Sequence, residues 1–168
     1  MTDVRDAAAL TQDNADQTGS FIWYELMTPD PEGAKAFYDA VVGWSFGDAA
    51  ADYNGYRMIN RKDGGFAGGV LQLTNEMQEH GARPTWLGYI YVPDVDRAVG
   101  KIEDAGGKAL MPAMDIPNVG RIAMVADPQG APFYIMLPDG PHNRAPKTAD
   151  HRINAAQQWT VRLGSTTN

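Results

Sequence analysis

The chain contains no cysteine, which excludes disulfides and thiolate metal sites and leaves the redox compartment undetermined. Histidine is scarce: His80, His142 and His151 are the full complement. There is no long apolar run, which argues against a membrane-spanning helix. The opening stretch MTDVRDAAALTQDNADQTGS lacks a basic start followed by an apolar core, so it does not read as a secretory signal. Lys and Arg number 14 against 21 Asp and Glu, a net charge of −7, with no clustered basic patch. That balance argues against a nucleic-acid partner. Together these absences lead to the expectation of a cytoplasmic protein without nucleic-acid or membrane partners.

What is present fits one domain with a real core: 168 residues, 43% hydrophobic and 21% charged. Residues 1–19 are polar and read as a flexible arm. Phe21–Met27 has strand composition, and Thr28-Pro29-Asp30-Pro31 stops it and starts a helix. Asp30 is a good N-cap and Pro31 is tolerated at the first helical position. Ala34, Phe37, Tyr38 and Val41 recur at helical spacing over Pro31–Val42, and Gly43 is a plausible stop. Trp44–Phe46, Tyr56–Asn60 and Phe66–Leu73 follow as strands, with a hairpin turn at Lys62–Gly65.

The chain then repeats itself. A shift of 64 positions lays Pro29 on Pro93, Asp30 on Asp94, Ala34 on Ala98 and Gly43 on Gly107. The same shift pairs Asn54 with Asn118, Arg57 with Arg121 and Asp63 with Asp127. Identities in one register at caps and turns predict two copies of one βαβββ unit. The first module spans about 20–74, a linker 75–83, and the second module about 84–140. In the second, strands are expected at Trp86–Val92, Lys108–Met111, Arg121–Val125 and Pro132–Leu137, with a helix over Val95–Ala105 and a Pro-rich loop at Pro112–Val119. The tail 141–168 is polar apart from Trp159–Leu163, a cluster that is either docked on the domain or on a partner or a frayed end, docking being the expectation.

These motifs resemble the vicinal oxygen chelate superfamily, the group of glyoxalase I, extradiol dioxygenases and the fosfomycin and bleomycin resistance proteins. The resemblance rests on WYELMTPDPEGAKAFYDAVVGW, GYRM, WLGYIYVPDVD, PNVGR and DPQGA, and is nearest to a branch described as culture-filtrate-antigen-like or hydroxylase-like. It implies an α+β fold of two tandem βαβββ modules whose curved mixed sheets enclose a shared cavity. A homodimer is the implied assembly, and modules pairing within one chain or across two are both open. No reaction follows from the fold alone.

In metal-using members, ligands sit seven residues before the Asp that starts each helix and seven after the Asp of D-P-x-G. Here those positions hold Trp23, Leu87, Val70 and Tyr134. Trp, Leu and Val offer no donor atom, and a single Tyr is a poor substitute for imidazoles and carboxylates. The expectation is no metal and no cofactor.

Alternation puts Phe21, Trp23, Glu25 and Met27 on one strand face, the cavity face by the resemblance. Leu87, Tyr89 and Tyr91, then Tyr134 and Met136, match it in the second module. Such an aromatic-lined cup suits a small aromatic or carbonyl-bearing molecule. Glu25 is its one carboxylate. Flanked by Trp23 and Met27, it should have its pKa raised by desolvation, the way a general base is made. The structural alternative is a Glu25 hydrogen-bonded to a Tyr hydroxyl, Arg57 or Arg121. Arg57 and Arg121, at equivalent strand starts, favour structural pairing, for instance with Asp63 and Asp127. Three functions stay open: a metal-free small-molecule-binding protein, a metal-independent isomerase-, cyclase- or hydroxylase-like enzyme using Glu25, and a metal-dependent lyase or dioxygenase.

Overall fold

A computed structural model describes residues 18–139. The Trp159–Leu163 cluster and residues 1–17 lie outside the described residues. Eight strands and three α-helices follow in the order β1 (Phe21–Thr28), α1 (Pro31–Val42), β2 (Ser45–Phe46), β3 (Arg57–Asn60), β4 (Phe66–Gln72), α2 (Asn75–Glu79), β5 (Thr85–Tyr91), α3 (Val95–Asp104), β6 (Lys108–Ile116), β7 (Gly120–Ala126) and β8 (Pro132–Pro138). The strands form one mixed, curved sheet ordered β2-β3-β4-β1-β5-β8-β7-β6. β1 runs parallel to β4, and β5 parallel to β8. The antiparallel β1–β5 pair joins the two halves within one chain. Among the described residues no helix is long and apolar enough to cross a membrane.

Local chemistry sets the element ends. Asp30 Oδ1 accepts from the Gly33 amide at 2.9 Å, and Asp94 Oδ1 from the Arg97 amide at 2.9 Å, so both long helices start at an acidic cap. α1 stops at Gly43, whose φ of 70° is the left-handed conformation a side chain resists. Asn54 and Asn118 also have positive φ, at 52° and 62°.

Two of three apolar clusters lie under helices. Leu26, Phe46, Ile59 and Val70 pack against Ala34 and Tyr38 of α1. Val95, Ala123, Val125 and Ile135 pack against Ala98, Val99 and Ile102 of α3. The third cluster occupies the opposite, inner face: Met27, Leu73, Leu87, Tyr89, Ile122, Tyr134 and Met136. Each fully buried aliphatic side chain contributes about 1.5–3 kcal/mol. Val70, counted as a possible ligand position, therefore faces α1 and not the inner cup. The register shift between Ile59 and Asn60 in the β3–β4 pair accompanies this placement. Its neighbours Gly69 and Leu71 bring no donor side chain to the inner face either.

Three other expectations change. β6 does not end at Met111 but continues to Ile116, because two register shifts against β7 absorb Pro112 without breaking the strand. The linker carries a short helix, α2, started by Thr74, whose Oγ1 accepts from the Met77 amide at 3.2 Å. Phe37 and Val41 are exposed, since only Ala34 and Tyr38 of the α1 stripe reach the sheet.

The two arginines are structural, with different partners from those expected. Arg57 donates to Glu32 at 2.6 Å, and Arg121 to Asp96 at 2.7 Å and Asp115 at 3.0 Å. Each ties the first turn of a helix to a strand start. Asp63 instead pairs with Arg61, and Asp127 accepts the Gln129 and Ala131 amides of its own turn.

Candidate functional site

Glu25 sits at the centre of the sheet, on the strand where the two halves meet. Its backbone partner is Gly69 on one side and Leu87 on the other. The side chain points into the inner face and is only 3% exposed. Tyr89, on the diagonal of the β1–β5 pair, donates its hydroxyl to Glu25 Oε2 at 2.8 Å. The other oxygen, Oε1, is buried and has no hydrogen-bond partner. The Tyr89 ring stacks on Tyr134, with centroids 4.3 Å apart and planes 16° from parallel.

The electrostatics follow from that enclosure. Burial pushes the Glu25 carboxyl above its ordinary value, and the hydroxyls of Tyr89, Tyr134 and Tyr56 pull it part of the way back. The same burial, with the Glu25 charge close by, raises all three tyrosines, which stay protonated donors. No Arg or Lys contributes to the shift of Glu25, so the expected alternative of an arginine partner gives way to the tyrosine one.

Tyr56 is the member that sequence reading missed. It precedes β3, where composition marks only the start of a strand. Trp23 Nε1 donates to Tyr56 Oη at 2.9 Å, which fixes the phenol beside Glu25. The ring lies over the backbone of Gly69, and a Cβ there would fall within the phenol. The signal was available in the Gly68-Gly69 pair inside a strand, where glycine marks a close approach of another group.

Of the residues expected to line the cup, Met27, Leu87, Tyr89, Tyr134 and Met136 form one cluster, with Trp23 packed against it. Phe21 does not join them. A register shift between Phe21 and Trp23 breaks the alternation and turns the Phe21 ring outward, against Tyr24 at 5.8 Å and over Gly88. Tyr91 is buried farther along β5 and takes no part in the hydroxyl group around Glu25.

A family model for the Glyoxalase/Bleomycin resistance protein/Dioxygenase superfamily matches residues 20–135. The chain belongs to this superfamily. Among related proteins of the superfamily, CFP32 of Mycobacterium bovis, named as a candidate glyoxylase, is 38% identical over 124 residues, 73% of this chain and 45% of CFP32. The anthracycline biosynthesis protein DnrV of Streptomyces peucetius is 29% identical over 130 residues, 70% of this chain and 46% of DnrV. The chain thus spans about half the length of these relatives. Among solved structures, a methylmalonyl-CoA epimerase bound to methylmalonyl-CoA and ammonium overlays with a TM-score of 0.52 at 17% identity, over 77% of this chain and 99% of the epimerase. A variant of the Streptomyces coelicolor methylmalonyl-CoA epimerase, in complex with 2-nitronate-propionyl-CoA, gives 0.51 at 18% identity, over 74% of this chain and 99% of the epimerase. At that identity the likeness shows the fold alone.

The superfamily's metal positions do not fit an ion here. Trp23 and Leu87 carry no donor on the inner face, Tyr134 is stacked on Tyr89, and Val70 is turned away. Among the described residues no three His, Cys, Asp or Glu side chains converge. Among the described residues Glu25 is the one buried carboxylate, and its companions in the cup are phenols, thioethers and aliphatic side chains.

Proposed function

We propose that the inner face is a binding site for a small aromatic or carbonyl-bearing molecule, organised around Glu25 and working without a metal ion. The observation that carries this reading is the buried, unpartnered Oε1 of Glu25 amid Tyr56, Tyr89 and Tyr134. A buried polar atom without a partner costs about 1–3 kcal/mol, and a ligand that meets it recovers that energy. The surrounding Trp23, Met27, Leu87 and Met136 supply apolar walls. DnrV, by name an anthracycline biosynthesis protein, is in keeping with an organic ligand.

A second reading rests on the raised pKa of Glu25. A carboxylate held in an apolar cup, with tyrosine hydroxyls beside it, can take a proton from carbon next to a carbonyl while the phenols stabilise the developing oxyanion. Glu25 is then the general base and Tyr56, Tyr89 and Tyr134 are donors. The relative CFP32, named as a candidate glyoxylase, is in keeping with chemistry at a carbonyl compound.

A homodimer is the proposed assembly, supported by the exposed Phe37, Val41 and Val42 on α1 and Trp86 on β5.

The test is a ligand screen on untagged protein, read at the indole N–H of Trp23, with metal content measured on the same sample. The expected result is less than one metal ion per ten chains and ligand-induced shifts at Trp23. A stoichiometric metal ion, or shifts confined to other tryptophans, overturns the proposal. Solvent deuterium entering a bound carbonyl compound, and lost in Glu25→Gln with binding retained, selects the general-base reading.

A further inference from the structure

The geometry points to the chemical head of the ligand: we propose that Glu25 Oε1 accepts a hydrogen bond from a hydroxyl on an aromatic ring, a phenol or enol. The inference rests on the inner face being the binding site. It adds what the ligand must bring there.

The hydrogen-bond inventory around Glu25 decides the point. Oε2 is taken by the Tyr89 hydroxyl at 2.8 Å. Tyr56 Oη accepts the Trp23 indole N–H at 2.9 Å in the space that Gly69 leaves by having no Cβ; its own O–H and that of Tyr134 lie near enough to Glu25 to lower its pKa, but neither makes a hydrogen bond to Oε1. Oε1 alone is buried and unmatched. Above the Glu25 pKa the ionised carboxylate oxygen accepts and does not donate, so its missing partner is a donor. Amines would bring a positive charge into a face whose buried lining is otherwise Met, Leu, Ile and Tyr. A neutral hydroxyl satisfies the oxygen without that cost. The Tyr89–Tyr134 stack and Trp23 flank the position with aromatic surface, which favours a hydroxyl attached to a flat ring. A ligand presenting only a carbonyl leaves Oε1 unpaired.

Phenol and its methyl ether anisole test this, since they share a shape and differ in the donor. Binding to the full chain is followed at the Trp23 indole N–H. Phenol is expected to bind at least about tenfold tighter than anisole, because the ether leaves a buried acceptor unmatched. In Glu25→Gln the amide oxygen keeps the Tyr89 bond and its NH2 faces the ligand, so the preference should fall to about threefold or less. A second series needs no variant. Affinity should rise from 4-methylphenol through phenol to 4-cyanophenol, at a pH where all three stay un-ionised, because the more acidic hydroxyl donates more strongly. Equal binding of phenol and anisole at Trp23 overturns the donor assignment and leaves the site standing. A preference that survives Glu25→Gln, or affinity falling with acidity, removes Glu25 as the acceptor. No shift at Trp23 with either probe overturns the site and this inference with it.

Discussion

Replacing Glu25 by Gln should stabilise the protein above neutral pH, and the size of the effect follows from its surroundings. An ionised carboxylate buried to 3% exposure loses several kcal/mol of hydration after relaxation. The hydrogen bond from Tyr89 at 2.8 Å returns about 1.5–3 kcal/mol, and the nearby Tyr134 and Tyr56 hydroxyls offset a further part. Oε1 returns nothing. The carboxyl is accordingly raised in the folded state above its ordinary value of 4.5. In the window between those two values the folded chain holds a proton that the unfolded chain has released. Stability therefore falls as pH rises through that window and levels off above the folded value. Gln cannot titrate, so the variant lacks this slope. The two proteins should differ least at about pH 4, and the variant should become progressively the more stable as pH rises toward about 8. For a domain of this size each 1 kcal/mol of difference is about 2–4 °C in melting temperature. Urea unfolding of both chains across this pH range measures it. A difference independent of pH would mean that folding leaves the Glu25 carboxyl unshifted, and a variant less stable at high pH that the fold stabilises the charge; either result refutes an acceptor kept at a cost.

Two further outcomes concern the frame around Glu25. Gly69→Ala should cost about 1–3 kcal/mol by pushing the new methyl into the Tyr56 phenol, and less in a Tyr56→Ala background; a double-mutant cycle by urea unfolding reads the coupling, and purely additive losses would refute the contact. Asp30→Ala and Asp94→Ala should each cost about 1 kcal/mol, since each carboxylate caps its helix at 2.9 Å, again measured by urea unfolding.

Much of the architecture could be read in the order of residues because its determinants are local. Asp30-Pro31 and Gly43 bound α1 whatever the rest of the chain does, and the Asp127–Gly130 turn closes on its own carboxylate. What failed depended on pairing between distant strands. Alternation placed Phe21 beside Trp23, but a register shift against β5 turns it outward. Counting from Asp63 made Val70 a ligand position, while its pairing beside Leu26 places it in the cluster under α1. Phe37 and Val41 recur at helical spacing with Ala34 and Tyr38, yet only the latter two pack on the sheet. The site divided in the same way. Glu25 and its flanking residues lie on one strand and were legible as a set. Tyr56 comes from a different strand edge and reaches Glu25 only across Gly69, so its role exists only after the sheet has formed.

That division bears on why the site sits where it does. Glu25 and Tyr89 lie 64 residues apart, one on each of the two strands that join the halves of the sheet. Tyr134 arrives from β8 and Tyr56 from just before β3, so four segments spanning both halves meet at one carboxylate. Glu25 therefore stands where the two halves meet, on the same β1–β5 pairing that carries the Tyr89 hydrogen bond. A Leu or Met at position 25 would fill this volume without leaving a buried oxygen unmatched, and buried polar groups replaced by packed apolar ones are often neutral or stabilising. Cohesion of the two halves thus does not require a carboxylate at this point. On the proposed reading, what calls for one is an acceptor presented, in a dry setting, to a donor that arrives from outside the chain.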